Sequence, residues 1–263
     1  MIAGFAALTA QFATAAGFLT RLRVGGNSTR DAQEIARSAR WFPLVGALLG
    51  GIYVAAFEVL SRVFSPLLTA VMIVIIDAWI TGAMHFDGLA DTADGFGGGR
   101  KREDVLRIMR DHAIGAYGAV AVGLALALKI AAIATFVDRS QAISGLLLAP
   151  VLGRWSAVIS GSIERYARPT EDYFQSVGSP TRFMGRMELL IATVIAAGVA
   201  AGVAEVTSRL RGIAAVALVA VAVIAWGEWC RRRISGVTGD TLGAGIEISE
   251  CVVLVWFAAA HSS

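Results

Sequence analysis

Residues 66–95 read Pro66-Leu-Leu-Thr-Ala-Val-Met-Ile-Val-Ile-Ile-Asp77-Ala-Trp-Ile-Thr-Gly-Ala-Met84, then His85-Phe-Asp87-Gly-Leu-Ala-Asp91-Thr-Ala-Asp94-Gly95. The run to Met84 holds one acid and no base, and it is close to the roughly 20 apolar residues that an α-helix needs to cross a bilayer. The run after it holds three carboxylates spaced four and three residues apart. At about 100° per residue, Asp91 and Asp94 fall within about 40° of Asp87 on a helical wheel, so the three line one stripe. Like charges at that spacing destabilise a helix unless something positive compensates them. An oxygen-only donor set favours a hard ion, Mg²⁺ before Zn²⁺. A solvated acidic helix end is the plainer reading of the same residues. Against it stands the position of the motif, between two apolar runs of membrane length.

Composition agrees with a membrane setting. Hydrophobic residues make up 56% of the chain and charged residues 16%, with a mean hydropathy of +0.67, which no ordinary soluble domain reaches. Apolar segments fall at Trp41 to Leu60, Pro66 to Met84, Ala113 to Phe136, Gln141 to Ile163, Glu188 to Val206, Gly212 to Trp229 and Ile246 to Ala260. Their apolarity is continuous and does not alternate, which predicts helices and not barrel strands. The many Gly and Ala residues suit close helix packing. The expected fold is therefore all-α, a polytopic bundle of about seven transmembrane helices in a single membrane domain over 1–263. Residues 1–19 form an additional helix whose Thr9, Gln11 and Thr14 interrupt its apolar surface, so it is expected to lie in the bilayer interface. It lacks the basic start of a signal peptide.

Charge orients the bundle. Segments 20–40, 85–112, 161–187 and 230–245 hold 17 of the 23 Lys and Arg residues, whereas the alternate loops hold only Arg62, Arg139, Arg209 and Arg211. The positive-inside rule places the first set, and with it the carboxylate motif, in the cytoplasm. The net charge of +3 is then a topology signal and makes no case for a nucleic-acid partner. Lys129, Arg154, Asp77, Glu247 and Glu250 lie within spans, where charge is costly and is expected to be paired or functional. The partner of Asp77 is left open between Arg154 and Lys129. Cys230 and Cys251 read as packing residues, since two cysteines make no disulfide framework.

The remaining cytoplasmic segments supply further chemistry. Gly97 to Gly99 ends the helix of the triad, and it is no P-loop because the Lys-Ser/Thr offset is missing. Residues 100–112 predict a short helix with Val105, Ile108, Met109 and His112 on one face. Arg100, Arg107 and Arg110 are then available for anions, and Asp111 stands at the mouth of the next span. The segment from Arg165-Tyr-Ala-Arg-Pro169 onwards is polar, carries Thr170-Glu-Asp-Tyr-Phe174 with Gly178 and Pro180 as turn signals, and is long enough to be a substrate-binding loop. Gly236 to Gly245 is rich in glycine and hydroxyls, with Thr238 and Thr241 flanking Asp240, a ligand or base. Carboxylates that hold a divalent ion beside fixed arginines are suited to a pyrophosphate.

Several of these segments carry a family resemblance. His85 to Gly95, Ile108-Met-Arg-Asp111 with Gly115 and Gly118, and Gly239-Asp-Thr-Leu-Gly-Ala244 with Glu247 and Glu250 are similar to the cobalamin synthase family, the adenosylcobinamide-GDP ribazoletransferases. Phe42-Pro-Leu-Val-Gly46 and Gly153-Arg154 follow the same order. The resemblance implies a Mg²⁺-dependent inner-membrane transferase late in cobalamin biosynthesis. Such an enzyme joins adenosylcobinamide-GDP to α-ribazole or α-ribazole 5′-phosphate and releases GMP. On this reading Asp87, Asp91 and Asp94 hold the metal, and Asp111 and Asp240 assist them in catalysis. His85, Arg100, Arg107, Arg110, Arg154, Thr238 and Thr241 bind substrate. The choice of acceptor, the oligomeric state and any association with other cobalamin-assembly enzymes stay open. Two other functions compete. A secondary transporter is expected to show inverted repeats, and none is visible. A CDP-alcohol phosphotransferase would share the metal chemistry, but here Asp87-Gly is followed by Leu-Ala-Asp, which departs from that family's pattern.

Overall fold

A computed structural model describes residues 2–22, 31–136, 139–168, 180–206 and 209–259. Among these the chain forms helices α1 (Ile2–Leu19), α2 (Ala32–Ser38), α3 (Phe42–Leu60), α4 (Pro66–Thr81), α5 (Met84–Gly98), α6 (Arg102–Ile108), α7 (Ala116–Ala134), α8 (Arg139–Ile163), α9 (Arg186–Val206), α10 (Arg209–Ile234) and α11 (Gly239–Ala258). Among the described residues β pairing is limited to one isolated parallel bridge, Tyr166 with Val237. The expected all-helical class and the seven apolar segments are recovered. Six stretches are long and apolar enough to cross a membrane: 32–60 (α2 running into α3), α7, α8, 186–204, 210–234 and α11. The α4–α5 pair is a seventh, broken candidate. The Thr170–Phe174 loop falls outside the described residues.

α8 is the axis of the bundle. Most of its length is buried, and both α3 and α11 pack along it. Glycine spacing on α3 permits that contact: a Cβ on Gly46 would lie 2.7 Å from the Pro150 carbonyl carbon, and one on Gly50 would lie 2.7 Å from the Leu147 Cα. Small residues four apart let two backbones approach in this way, which supplies dispersion contacts where lipid offers no hydrophobic driving force. Ile75, Trp79, Val120, Leu124, Val194 and Val221 point outward and exposed, as a surface facing lipid requires. α1 buries Ala15, Ala16 and Leu19 at its C-terminal end and stacks Phe18 on Phe42 at 5.8 Å.

One break was not expected from sequence. The run from Pro66 to Met84 does not continue straight into the acidic motif. Gly82 (φ 67°) and Ala83 (φ 56°) both adopt left-handed backbone, their N–H groups donate to the Ala78 carbonyl, and α5 leaves α4 at 89°. A left-handed alanine costs about 1–3 kcal/mol and persists only where its surroundings fix it. Here the Arg21 N–H holds the Ile80 carbonyl at 2.8 Å, and the Arg21 side chain lies against Gly82. The bend carries α5 across the first turns of α7 and α11. The break after the motif, at Gly98–Gly99, is as expected. α6 is shorter than the helix read from sequence. It buries Val105, Leu106 and Met109, while His112 is exposed beyond its end.

Candidate active site

Glycines decide what α5 meets. A Cβ on Gly88 would stand 2.7 Å from the Asp240 carbonyl oxygen, and one on Gly243 would stand 3.4 Å from the His85 Cα. α5 and α11 therefore touch backbone to backbone, which brings Asp240 to the acidic stripe. On the other flank, Asp94 accepts N–H bonds from Gly115 (2.7 Å) and Gly118 (2.9 Å) at the start of α7. A side chain at either glycine would run into the Asp94 carboxylate. Asp94 is thus fixed first as a cap for α7, satisfying two N–H groups that a helix start leaves without intrahelical partners. The charges acting most strongly on Asp91 are those of Asp240, Asp87, Arg168 and Asp94. Among the described residues no ion pair reaches Asp87 or Asp91.

Asp87 and Asp240 open onto a cavity of about 450 Å³, within the range of small-molecule sites. His85, Gly88, Arg168 and Gly239 share its polar side. Phe18, Phe42, Met84, Met184, Leu242 and Ile246 form its apolar walls. Arg168 closes the polar side with an ion pair from Nη2 to Asp240 Oδ2 at 2.8 Å, and the Thr238 hydroxyl donates to the same oxygen at 3.3 Å. The backbone leading to Arg168 is pinned on the link between α10 and α11. Ala167 N–H donates to the Val237 carbonyl and Val237 N–H to the Arg165 carbonyl, both at 2.8 Å. Burial raises the Tyr166 hydroxyl above its ordinary range, so it stays a neutral donor. Arg233 steadies the far end of α5, donating to the Phe96 and Gly99 carbonyls, where a cation suits the helix C-terminus.

The expected substrate residues divide. His85 lines the cavity and is 3% exposed, with no hydrogen-bond partner for Nε2. Arg154 does not reach the cavity. It is wholly buried and paired with Glu250, because a guanidinium at that depth needs a carboxylate beside it. Thr238 and Thr241 are fully buried and cap α11 reciprocally, each hydroxyl taking the other's backbone N–H, so neither reaches the cavity, and Thr238 touches it only through its bond to Asp240. Asp111 is exposed off the cavity and accepts from the Ala113 N–H at 3.1 Å. Arg100 is exposed. Arg107 is exposed too and faces Asp104 at 3.8 Å. Arg110 lies at the surface, near enough to act on Tyr166. The cation that lines the cavity is Arg168, which belongs to the loop expected to bind substrate, although no periodicity or motif singles it out within that loop.

A second acidic set lies deeper. The carboxylates of Asp77, Glu247 and Glu250 come within 4.8 Å of one another, a closeness that no other set of three potential metal ligands matches among the described residues. Lys129 Nζ sits among them, at 3.0 Å from Asp77, 2.7 Å from Glu247 and 2.6 Å from Glu250. The open partner of Asp77 is therefore Lys129, with the Tyr53 hydroxyl donating to its other oxygen at 2.7 Å.

Comparison with known proteins bears on this geometry. The family described as cobalamin-5-phosphate synthase matches residues 11–258. The adenosylcobinamide-GDP ribazoletransferase of Syntrophobacter fumaroxidans is 41% identical over 92% of this chain and 96% of its own length. Those of Roseiflexus sp. and Escherichia coli are 38% and 35% identical, each over 90% of this chain and over 85% and 95% of their own lengths. No solved structure matches significantly. A multi-pass helical bundle, an acid-lined cavity at its broken helix and a match running nearly end to end place the chain in the cobalamin-5-phosphate synthase family, whose members are membrane-bound transferases of cobalamin biosynthesis.

Proposed function

We propose that the cavity joins adenosylcobinamide-GDP to the ribose 3′-hydroxyl of α-ribazole or its 5′-phosphate, releasing GMP, and that it opens to the cytoplasm from the inner membrane. The observation that carries this reading is the convergence of Asp87 and Asp240 with Arg168 at one end of an otherwise apolar cavity, with Asp91 on the same helix as Asp87 and within reach of their charges. The names of the relatives supply the substrates. The Lys and Arg bias supports the orientation.

The donor set fits a hard divalent ion, since every candidate ligand is a carboxylate oxygen and two of them have no ion pair among the described residues. Asp87, Asp91 and Asp94 would hold Mg²⁺, with Asp240 facing Asp91. When bound, it would offset charge on the phosphoryl oxygens. The chain's own residues do the rest. The apolar walls exclude water from one side of the reacting centre. A carboxylate lining the cavity, Asp87 or Asp240, takes the proton of the 3′-hydroxyl. That oxygen forms a bond to the cobinamide-side phosphorus, the bond from this phosphorus to the bridging oxygen breaks, and GMP leaves with that oxygen. Purified protein given adenosylcobinamide-GDP and α-ribazole should release GMP in equal amount to the adenosylcobalamin formed. Release of CMP from a CDP-alcohol, with no GMP from the corrinoid substrate, would contradict this reading.

A further inference from the structure

The acids around the cavity pose a problem for an anionic substrate. Asp87 and Asp240 line one end, with Asp91 acting on them from the same helix face as Asp87, and a pyrophosphate arriving there meets like charge. The arginines of the 100–110 segment do not line the cavity, and Arg154 is held by Glu250. Arg168 differs from all of them. Its backbone is fastened from three elements. Arg182 Nη2 donates to the Arg168 carbonyl at 3.0 Å while its guanidinium lies 5.2 Å over the Tyr166 ring. Arg102 donates to the Ala167 carbonyl, and Val237 pairs with the strand-like stretch just before. Gly236, at φ 153°, admits this contact, because a Cβ there would meet the Arg165 carbonyl. The chain thus spends five polar contacts on aiming a single side chain. The guanidinium, 11% exposed, ends in the cavity wall against Asp240.

We propose that Arg168 is the receptor for the pyrophosphate of the donor, and that Asp240 is its placeholder: the carboxylate holds one arm of the guanidinium, Nη2, and yields it to phosphate oxygens when the donor arrives. The inference rests on the donor carrying a nucleoside diphosphate, as the preceding reading has it. A guanidinium is well matched to this exchange. It stays charged, and its planar fork accepts a carboxylate or a phosphate in the same bidentate geometry. A mostly buried cation would also be costly without a counter-ion, so the placeholder keeps the empty site stable. Exchange of one anion for another moves no proton and needs no large rearrangement.

The test uses GDP as the probe, titrated onto the purified full-length protein in detergent with EDTA present, and α-ribazole titrated in parallel. Arg168→Gln should weaken GDP binding by about tenfold or more and leave α-ribazole binding within about twofold. Arg168→Lys, which keeps the charge and can still pair with Asp240, should fall between the two because the fork is lost. Asp240→Asn should tighten GDP binding severalfold, since it removes the competitor while leaving the receptor. A merely structural Arg168 would lower both affinities and the melting temperature together, and that result overturns the proposal. Wild-type GDP affinity in Arg168→Gln, or weaker GDP binding in Asp240→Asn, also overturns it. GMP release by the wild type is scored separately, so loss of the Arg168 role and loss of the reaction itself give different patterns.

Discussion

Asp77, Glu247 and Glu250 form one set of acids and Asp87, Asp91, Asp94 and Asp240 another, and the chain treats them oppositely. The deep set has the tighter spacing and on distance alone is the better cage for a metal. Yet its centre is filled by the Lys129 ammonium, and its flank by Arg154, both fully buried. Three acids facing two covalently supplied cations hold α4, α7, α8 and α11 to one another. The cavity set is looser and carries one arginine for four acids. Two of its members have no ion pair among the described residues, and it opens to a space that a small molecule can enter. Close acids therefore mark a ligand site only where the protein has not already furnished the counter-charge.

Removing that counter-charge should have the largest effect. Lys129→Met leaves three buried carboxylates with Arg154 alone. Breaking a buried ion pair by deleting one partner costs about 3–5 kcal/mol, so little folded protein should survive extraction, and its melting temperature should drop sharply. A Lys129→Met protein that melts like the wild type but is inactive would move Lys129 from architecture to mechanism. A smaller effect is expected at the Thr238–Thr241 cap. Thr238→Ala should cost about 1 kcal/mol of stability through loss of the helix cap, visible as a modest fall in melting temperature, while substrate affinities stay near those of wild type. A large rise in KM with an unchanged melting temperature would return Thr238 to the substrate site.

The same contrast explains how much could be read in advance. The spans were legible because bilayer length and continuous apolarity leave few alternatives. The acidic stripe was legible because i, i+4 and i+7 share a helix face whatever surrounds it. The bend at Gly82–Ala83 was hidden because an alanine at φ 56° carries no sequence signal, and Arg21, whose N–H holds the Ile80 carbonyl beside the bend, is remote in sequence. Thr238 and Thr241 flank Asp240, which makes them look like substrate contacts, yet they cap α11. The Thr-x-x-Thr pattern lacks the Glu or Gln that usually announces a capping box, although the hydroxyls close one all the same. Arg168 lies in the stretch expected to bind substrate, but nothing singles it out there, because its aim comes from Arg102, Arg182 and Val237, none of them adjacent to it in the chain.

Binding of Mn²⁺, followed by electron paramagnetic resonance in wild type, Asp91→Asn and Glu247→Gln, sets the two acid sets against each other directly. Asp91→Asn should bind Mn²⁺ at least about tenfold more weakly, one ligand charge having been removed, and should fold as well as wild type because like-charge repulsion is relieved. Its turnover should fall by about a thousandfold if several kcal/mol of transition-state stabilisation is lost. Glu247→Gln should bind Mn²⁺ as wild type does, since Lys129 and Arg154 still balance Asp77 and Glu250. Mn²⁺ affinity that survives Asp91→Asn and is lost in Glu247→Gln would contradict the assignment and place the ion in the buried set.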